Sequence, residues 1–287
     1  MKGLLIVLAA SVAAFGQGNR EDMASPGTVN YIEGQVTLDG QELSAKSAEA
    51  SVAGPNQVIS TADGYAEILL TPGAFLRVGH NSEVRFLSAG LASVDLQLNR
   101  GEAMVEVTDL VKGSKLEVIT GDVRTQIEKK GLYDFDANQR SVRVLDGKAE
   151  VRAASGETTL KKGDQVLLAS DQPLKKRSFE LKPAESEPLY VWNKVRSHAE
   201  SQANVDAANA IAASGGWYGP GWYWNPFWSS YAFVPGWGFY SPGFVYGGGW
   251  RFRGGHWGHG YHGRGFHGGH GSFHGGHGGF HGGGHHR

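Results

Sequence analysis

The chain has 287 residues, a formal net charge of −1 and no cysteine. This length allows one or two domains, and the near-neutral charge gives no basic field that would indicate a nucleic acid partner. The lack of cysteine excludes disulfides, thiolate catalysis, cysteine-based zinc sites and a lipid anchor on cysteine. Charge is unevenly distributed, because the segment after Ala213 has four arginines as its only fixed charges.

The first residues predict export. Lys2 gives a short positive region, residues 4–15 are apolar (LLIVLAASVAAF), and Ala14 and Gly16 are the small residues that a signal peptidase reads. We expect a signal peptide at 1–16 and a flexible N-terminus at 17–26, with the mature protein periplasmic, at the cell surface or secreted. An uncleaved anchor is the alternative, although a membrane-spanning helix needs about 20 apolar residues. No span is expected in the mature chain.

Residues 27–170 predict one all-β domain. Apolar and polar residues alternate at Leu76-Arg77-Val78, Val94 to Leu98, Val105-Glu106-Val107 and Val142-Arg143-Val144. A period of two is typical of antiparallel strands with one buried face and one face in water. Turn-forming pairs divide the runs at Asp39-Gly40, Asp63-Gly64, Pro72-Gly73, Arg100-Gly101, Asp146-Gly147, Ser155-Gly156 and Lys162-Gly163. Many short strands at even spacing indicate an antiparallel sandwich or β-roll.

A linker and one helix follow this domain. Residues 171–187 carry two prolines and the basic run 175–177, for which we expect a solvated surface; a specific anionic contact is the alternative. Residues 188–213 predict an α-helix, in which Leu189, Trp192, Val195 and Ala199 follow helical spacing. We expect this helix to pack Trp192 onto the sheet, with a partner-binding helix as the alternative.

The remainder is of low complexity, in two parts. Residues 214–253 are rich in Trp, Tyr, Gly and Pro, and such a segment either packs back on the sheet or contacts another surface. Residues 254–287 are rich in Gly and His and repeat the pattern FHGGHG at Phe266 and Phe273. This composition buries too little apolar surface to offset chain entropy, so we expect disorder there.

Histidines in the last part are candidate metal ligands. Neutral imidazole binds zinc, nickel and copper, but a glycine-rich backbone makes ordering costly, so we expect weak and multiple binding with no required cofactor. A flexible repeat that chelates only incidentally is the alternative. The candidate ligands are His256, His259, His262, His267, His270, His274, His277, His281, His285 and His286.

Nothing in the sequence matches a catalytic motif. The body holds two histidines, His80 in a predicted turn and His198 on the helix, and neither lies in a nucleophile elbow or a zinc-binding helix motif. Asp134 and Asp136 would share one face of a strand, as paired carboxylates do in glycosidases and metal sites. We interpret them as a solvated strand face, and we expect no enzyme activity and no catalytic residues.

The β region resembles the FecR domain family. The resemblance is carried, in order, by the stretches 27–29 (GTV), 34–36 (GQV), 59–70 (ISTADGYAEILL), 72–78 (PGAFLRV), 98–103 (LNRGEA), 141–151 (SVRVLDGKAEV) and 160–166 (LKKGDQV). It departs from the family at Lys129 to Tyr133, where an Arg-Gly-Thr-like turn is common. The resemblance implies an extracytoplasmic all-β module for interaction or sensing; the best known members respond to an iron-siderophore receptor and control a sigma factor.

Taken together, the sequence predicts a non-enzymatic extracytoplasmic interaction or scaffold protein with an adhesive tail that binds metal weakly. An envelope protein or polysaccharide is the expected partner. A FecR-type regulatory sensor, acting with a receptor and a sigma-factor system, is the first alternative. The known sensors have a cytoplasmic segment before their membrane helix, whereas here the hydrophobic stretch, counted from Gly3, follows only Met1 and Lys2. A metal-storage protein is the second alternative.

Overall fold

The computed structural model describes residues 24–48, 50–110, 113–168, 173–214, 221–225, 227 and 230–234. They belong to the first of two compact units, Met1–Arg251. The strands are β1 Val29–Leu38, β2 Gln41–Glu42, β3 Val58–Leu69, β4 Ala74–Val78, β5 Glu83–Ala89, β6 Ser93–Arg100, β7 Glu102–Val107, β8 Lys115–Thr120, β9 Val123–Ile127, β10 Gly131–Asp136, β11 Ser141–Asp146, β12 Lys148–Ala153, β13 Gly156–Lys161, β14 Asp164–Leu167, β15 Lys176–Ser178, β16 Gly221–Asn225 and β17 Ser230–Val234. The helices are α1 Ala45–Ala48, α2 Leu181–Ala184 and α3 Pro188–Ser214.

Within the described residues, hydrogen bonds join the fifteen strands from β1 through β15 into one sheet. The order is β13-β12-β9-β8-β6-β5-β3-β4-β7-β10-β11-β14-β15, with β1 on β3 and β2 on β1. The predicted all-β fold followed by a helix is confirmed, but the sheet is mixed, because β6 and β8 pair in parallel. The chain leaves β6 at Gly101, crosses to β7 in the other half of the sheet, and returns as β8.

Predicted turns lie between strands with one exception. Asp39 and Gly40 have positive φ angles of 49° and 78° and join β1 to β2, as a tight hairpin requires. The predicted turn at Asp63-Gly64 is wrong, because both residues lie inside β3. Gly64 pairs with Gly34 of β1, and a Cβ on Gly64 would collide with the Glu33 carbonyl oxygen. Glycine at position 64 therefore lets β1 and β3 approach each other closely.

One hydrophobic core collects the inward side chains of the sheet. Ile59, Phe86, Leu96, Tyr133 and Phe135 come from four different strands and are fully buried. Truncating a buried side chain of this size costs about 2–5 kcal/mol of stability, so burial of the apolar set determines which way each strand faces. The core therefore provides a rigid support for the opposite face.

The opposite face of β4, β7 and β10 is buried too. The sequence predicted water on that face, and this is wrong for Arg77, Glu106 and Asp134, each 0% exposed. The interpretation of Asp134 and Asp136 as a solvated face is wrong for the same reason, since Asp136 is also buried. The alternation along a strand shows only that its two faces differ in polarity. It does not show whether a helix packs on the polar face and removes that face from water.

Helix α3 and the hairpin β16–β17 lie over this face. Trp192 stacks on Tyr65 of β3, as predicted, with ring centroids 4.8 Å apart. The hairpin packs Trp222 and Tyr231 against Leu69 and Phe75 of β3 and β4. No helix in the described part of the chain is long and apolar enough to cross a membrane.

Several segments defined from sequence differ in detail or lie elsewhere. The segment predicted as a linker, 171–187, contains β15 and α2, and the basic run 175–177 is largely exposed there. Helix α3 spans 188–214 where the sequence indicates 188–213. Val195 was expected in the buried stripe and is 61% exposed. The signal peptide at 1–16, most of 17–26 and the whole of 254–287 lie outside the described residues.

Candidate functional site

A buried charged interface joins α3 to the outer face of the sheet. At its centre the Arg77 guanidinium of β4 donates from Nε to Glu67 Oε2 at 2.8 Å and from Nη1 to Glu106 Oε2. It also donates to Asn193 Oδ1 at 2.6 Å and to Glu200 Oε2 at 3.0 Å. One side chain therefore connects three strands to the helix. We call the whole group the buried charge cluster: Asn30, Glu67, Arg77, Glu106, Asn193, Arg196, Ser197 and Glu200.

Strand register and helix periodicity bring these residues together. Glu67 lies directly opposite Arg77 across β3 and β4. Glu106 lies opposite Phe75, two residues along β4, and therefore diagonal to Arg77 on the same face. On α3 the cluster residues are at 193, 196, 197 and 200, which is one face of a helix. The stripe that α3 turns toward the sheet therefore includes four polar residues beside the apolar Leu189 and Trp192, whereas the stripe of an ordinary packed helix is apolar.

Glu67 and Glu106 have several donors each. Glu67 Oε1 accepts from Asn30 Nδ2 at 2.6 Å and from Arg196 Nη2 at 2.8 Å. Glu106 Oε1 accepts from Ser197 Oγ at 2.8 Å. Charge-assisted bonds of this kind stabilise buried carboxylates, which would be costly without partners. Both residues therefore have donors that compensate for their burial.

The pKa of Glu200 shifts in the opposite direction to that of Glu67. Burial opposes ionisation at Glu67, but Arg196 and Arg77 outweigh it and hold the pKa of Glu67 at about 2. Burial raises the pKa of Glu200 well above its usual range, and the charge of Glu67 raises it further. Burial lowers the pKa of Arg77, and the surrounding glutamates raise it more. The cluster thus combines three buried carboxyl groups with two guanidiniums, and the pKa of Glu200 is raised where that of Glu67 is lowered.

An aromatic stack fixes the N-terminal half of α3. Trp192 contacts the rings of both Tyr65 and Tyr31, and the Arg196 Cζ lies 3.9 Å from the Tyr31 ring centroid. Tyr65 also contacts His80, 4.0 Å between centroids. Stacked and cation–π contacts each add about 0.5–2 kcal/mol beyond area burial. The helix is therefore held by rings on one side and by charges on the other.

A second acidic group lies where the chain enters α3. Arg143 of β11 donates to Asp134 Oδ2 of β10, and both of its Nη atoms bond the carboxylate of Glu187, one at 2.7 Å. Glu102 Oε1 is 3.8 Å from Arg143 Nη2. We call Glu102, Asp134, Arg143 and Glu187 the rim cluster. It ties the residue before α3 to the sheet.

The rim cluster has more acid than base. Burial and the charges of Asp134 and Glu187 raise the pKa of Glu102 to about 8. Burial raises the pKa of Asp134 to about 6, although Arg143 opposes the shift. One carboxylate oxygen from each of Glu102, Asp134 and Glu187 lies within 4.8 Å of the others, a grouping that hard cations favour. Arg143 already supplies a positive charge to all three acids.

The predicted site residues have mixed outcomes. The ten candidate histidines lie outside the described residues, so weak zinc, nickel or copper binding stays a prediction. His80 follows β4 in a turn, as expected, with Nδ1 3.4 Å from Asp63 Oδ1, and His198 is exposed on α3. Asp134 pairs with Arg143, and Asp136 Oδ1 accepts from the backbone N–H of Gln139. Both carboxylates thus have structural partners.

Sequence reasoning missed the buried charge cluster. Two signals were present in the chain: single charges at the centres of apolar strands, at Glu67, Arg77 and Glu106, and polar residues at helical spacing on α3. Either signal alone is also typical of a solvated face. Only their combination indicates that one polar surface covers the other.

Comparison with models of protein families supports the family resemblance of the β domain. Residues 57–156 match the family model of FecR protein. The predicted FecR resemblance is thereby confirmed, and the match runs from just before β3 to the first residue of β13. It includes the three strands that form the floor under α3, whereas α3 itself lies outside it.

Two solved structures are similar to part of the chain. Both are crystal structures of "a putative anti-sigma factor from Parabacteroides distasonis ATCC 8503", at 2.50 and 1.65 Å resolution. They show 18% and 17% identity, and each has a TM-score of 0.39 and covers 44% of this chain. The chain spans about three fifths of their length, 62%. No curated protein matches the chain.

Proposed function

We propose that the protein is a FecR-type regulatory protein that acts outside the cytoplasm by binding another protein, without catalysis. The FecR match over residues 57–156 is the observation that carries this proposal. The family resemblance implies a sensing module that reports the state of an envelope receptor. This favours the regulatory alternative over the scaffold with an adhesive tail.

The geometry of the covered face supports an interaction role. The charged groups of the buried charge cluster bond one another, so they serve the docking of α3. A reaction centre needs a nucleophile or base that reaches a substrate. A domain that holds a helix against its sheet by buried ion pairs is suited to positioning a surface for a partner. Among the described residues, the outer side of α3 exposes Val191 and Val195, and a partner would bind there or on the exposed faces of the strands.

Gene-expression measurements test the regulatory role. Deleting the gene from the organism that encodes it should change the transcripts of a sigma-factor-dependent gene set, and the full chain should restore them. A chain lacking 254–287 should restore them equally, because the β domain and α3 carry the proposed function. Unchanged transcripts in the deletion strain would reject the regulatory role. Restoration by the full chain alone would assign the role to the tail.

A further inference from the structure

One carboxylate oxygen in the buried charge cluster has no donor. Glu200 is 3% exposed, its Oε2 accepts from Arg77, and its Oε1 has no hydrogen-bond partner among the described residues. Glu67 Oε2 and Glu200 Oε2 both accept from the Arg77 guanidinium, at 2.8 and 3.0 Å, so the two carboxyl groups share one donor group. Ionised carboxylates only accept, so two of them form a hydrogen bond only when one carries a proton.

The charge count leads to the same conclusion. Three carboxyl groups, from β3, β7 and α3, face two guanidiniums, from β4 and α3. Two tyrosines next to the cluster add no charge, because burial and nearby glutamates raise the pKa of Tyr31 and Tyr190. If all three carboxyl groups were ionised, the cluster would carry one net negative charge, and an unpaired charge in such a site costs several kcal/mol. One added proton removes that charge and makes the cluster neutral. Asn30, Asn193 and Ser197 contribute neutral hydrogen bonds only.

Hydrogen bonding identifies the carboxyl that takes the proton. Glu67 accepts from three side chains, and Glu106 accepts from two. Among the described residues, Glu200 accepts from Arg77 alone. We propose that docking of α3 on the sheet takes up one proton, held on Glu200 and donated to Glu67, so that the proton concentration sets how tightly the helix is held.

The direction of the effect follows from the two states of the helix. When α3 is released, Glu200 is in water and loses its proton above the usual carboxyl pKa of about 4.3. When α3 is docked, Glu200 keeps the proton, because burial and Glu67 raise its pKa well above that range. The docked state therefore binds one more proton, and the docking equilibrium falls by up to about tenfold for each pH unit between the carboxyl pKa of the released helix and the raised pKa of docked Glu200. Acid tightens the helix and alkali loosens it.

Hydrogen exchange on the full chain measures this linkage. Amide protection of the segment 189–207, corrected for intrinsic exchange, is compared between wild type and Glu200→Gln from about pH 5 to 9. The amide introduced by this substitution keeps a donor toward Glu67 at every pH, so wild-type protection should fall more steeply, by about tenfold per pH unit. Equal slopes in the two proteins would overturn the proposal. The rim cluster adds a dependence of the same sign through Glu102 and Asp134, opposed by Arg143, so Glu102→Gln is added to both proteins as a control.

Infrared spectroscopy keeps the proposal testable if the Glu200→Gln protein does not fold. At about pH 7 the docked Glu102→Gln protein should retain one carbonyl band of an un-ionised glutamic acid, since this background removes Glu102, whose pKa is about 8, and Asp134 has a pKa of about 6. Labelling all glutamates with ¹³C should shift this band, which assigns it to Glu. A folded Glu102→Gln protein without the band, or with a band that the label does not shift, would overturn the proposal.

Discussion

The two halves of the sheet use similar ion pairs in different surroundings. Under α3, Arg77 and its glutamates are removed from water, with Arg77 0% exposed. On β6, β8 and β9, Lys115 bonds Asp95 at 3.0 Å and Arg124 bonds Glu117 at 2.7 Å, but the Lys115 and Arg124 side chains are 44% and 58% exposed. Buried pairs are costly to break and exposed pairs contribute little. Register places Glu67 opposite Arg77 in the covered half, and it places Lys115 diagonal to Asp95 and Arg124 diagonal to Glu117 in the open half. The helix decides what those ion pairs contribute.

Removing the central arginine should have the largest effect. Arg77→Met leaves Glu67, Glu106 and Glu200 buried with less compensation, so we expect the free energy of unfolding to fall by about 3–5 kcal/mol. Denaturant titration of the full chain measures it. Arg77→Lys serves as a control, because it keeps the charge but loses the fork that contacts several carboxylates, and it should lie between wild type and Arg77→Met. A loss below about 1 kcal/mol for Arg77→Met would show that the covered half behaves like the open one.

The sequence predicts the core face well and the covered face poorly. Alternation at Leu76-Arg77-Val78 identified the two core residues, because apolar side chains at period two have one stable solution. It placed Arg77 in water, because the pattern of a single strand holds no information on a helix more than a hundred residues later. The interface depends on long-range contacts, such as that between Arg77 and Glu200. Neither the pattern of β4 nor the pattern of α3 predicts these contacts by itself.

Truncating the tryptophan on α3 should have the next largest effect. Trp192→Ala removes the ring that contacts Tyr65 and Tyr31 and should cost about 3 kcal/mol, at the low end for large aromatic truncations. Trp192→Phe is the matched control. The buried indole Nε1 has no hydrogen-bond partner in the described structure, so phenylalanine loses packing but leaves no polar group unpaired. We expect Trp192→Phe to retain most of the stability in denaturant titrations; equal losses would assign the effect to the indole ring system that phenylalanine lacks.

The rim cluster should make stability depend on pH. The pKa of Glu102 is raised to about 8, so its contribution is complete below the usual carboxyl range and is lost as pH rises to about 8. Between these limits one such group changes the free energy of unfolding by at most about 1.4 kcal/mol per pH unit. Glu102→Gln should remove this part of the slope and be more stable than wild type at pH 9, whereas Glu102→Asp should keep the slope. Parallel pH profiles for wild type and Glu102→Gln would contradict the assignment to this carboxyl.

The smallest effect should come from the open half of the sheet. Arg124→Ala removes one exposed partner of Glu117, and Lys115 Nζ remains 3.4 Å from that carboxylate. Exposed pairs contribute about 0–1 kcal/mol and are screened by salt, so we expect a loss within that range that shrinks as ionic strength rises. Denaturant titration at low and high salt measures it, beside Arg77→Met, whose loss should change little with salt because its partners are out of reach of solvent ions. A large, salt-insensitive loss for Arg124→Ala would mean that Glu117, itself 3% exposed, depends on one partner as the buried glutamates do. Register alone, without the helix, would then be enough to make an ion pair structurally essential.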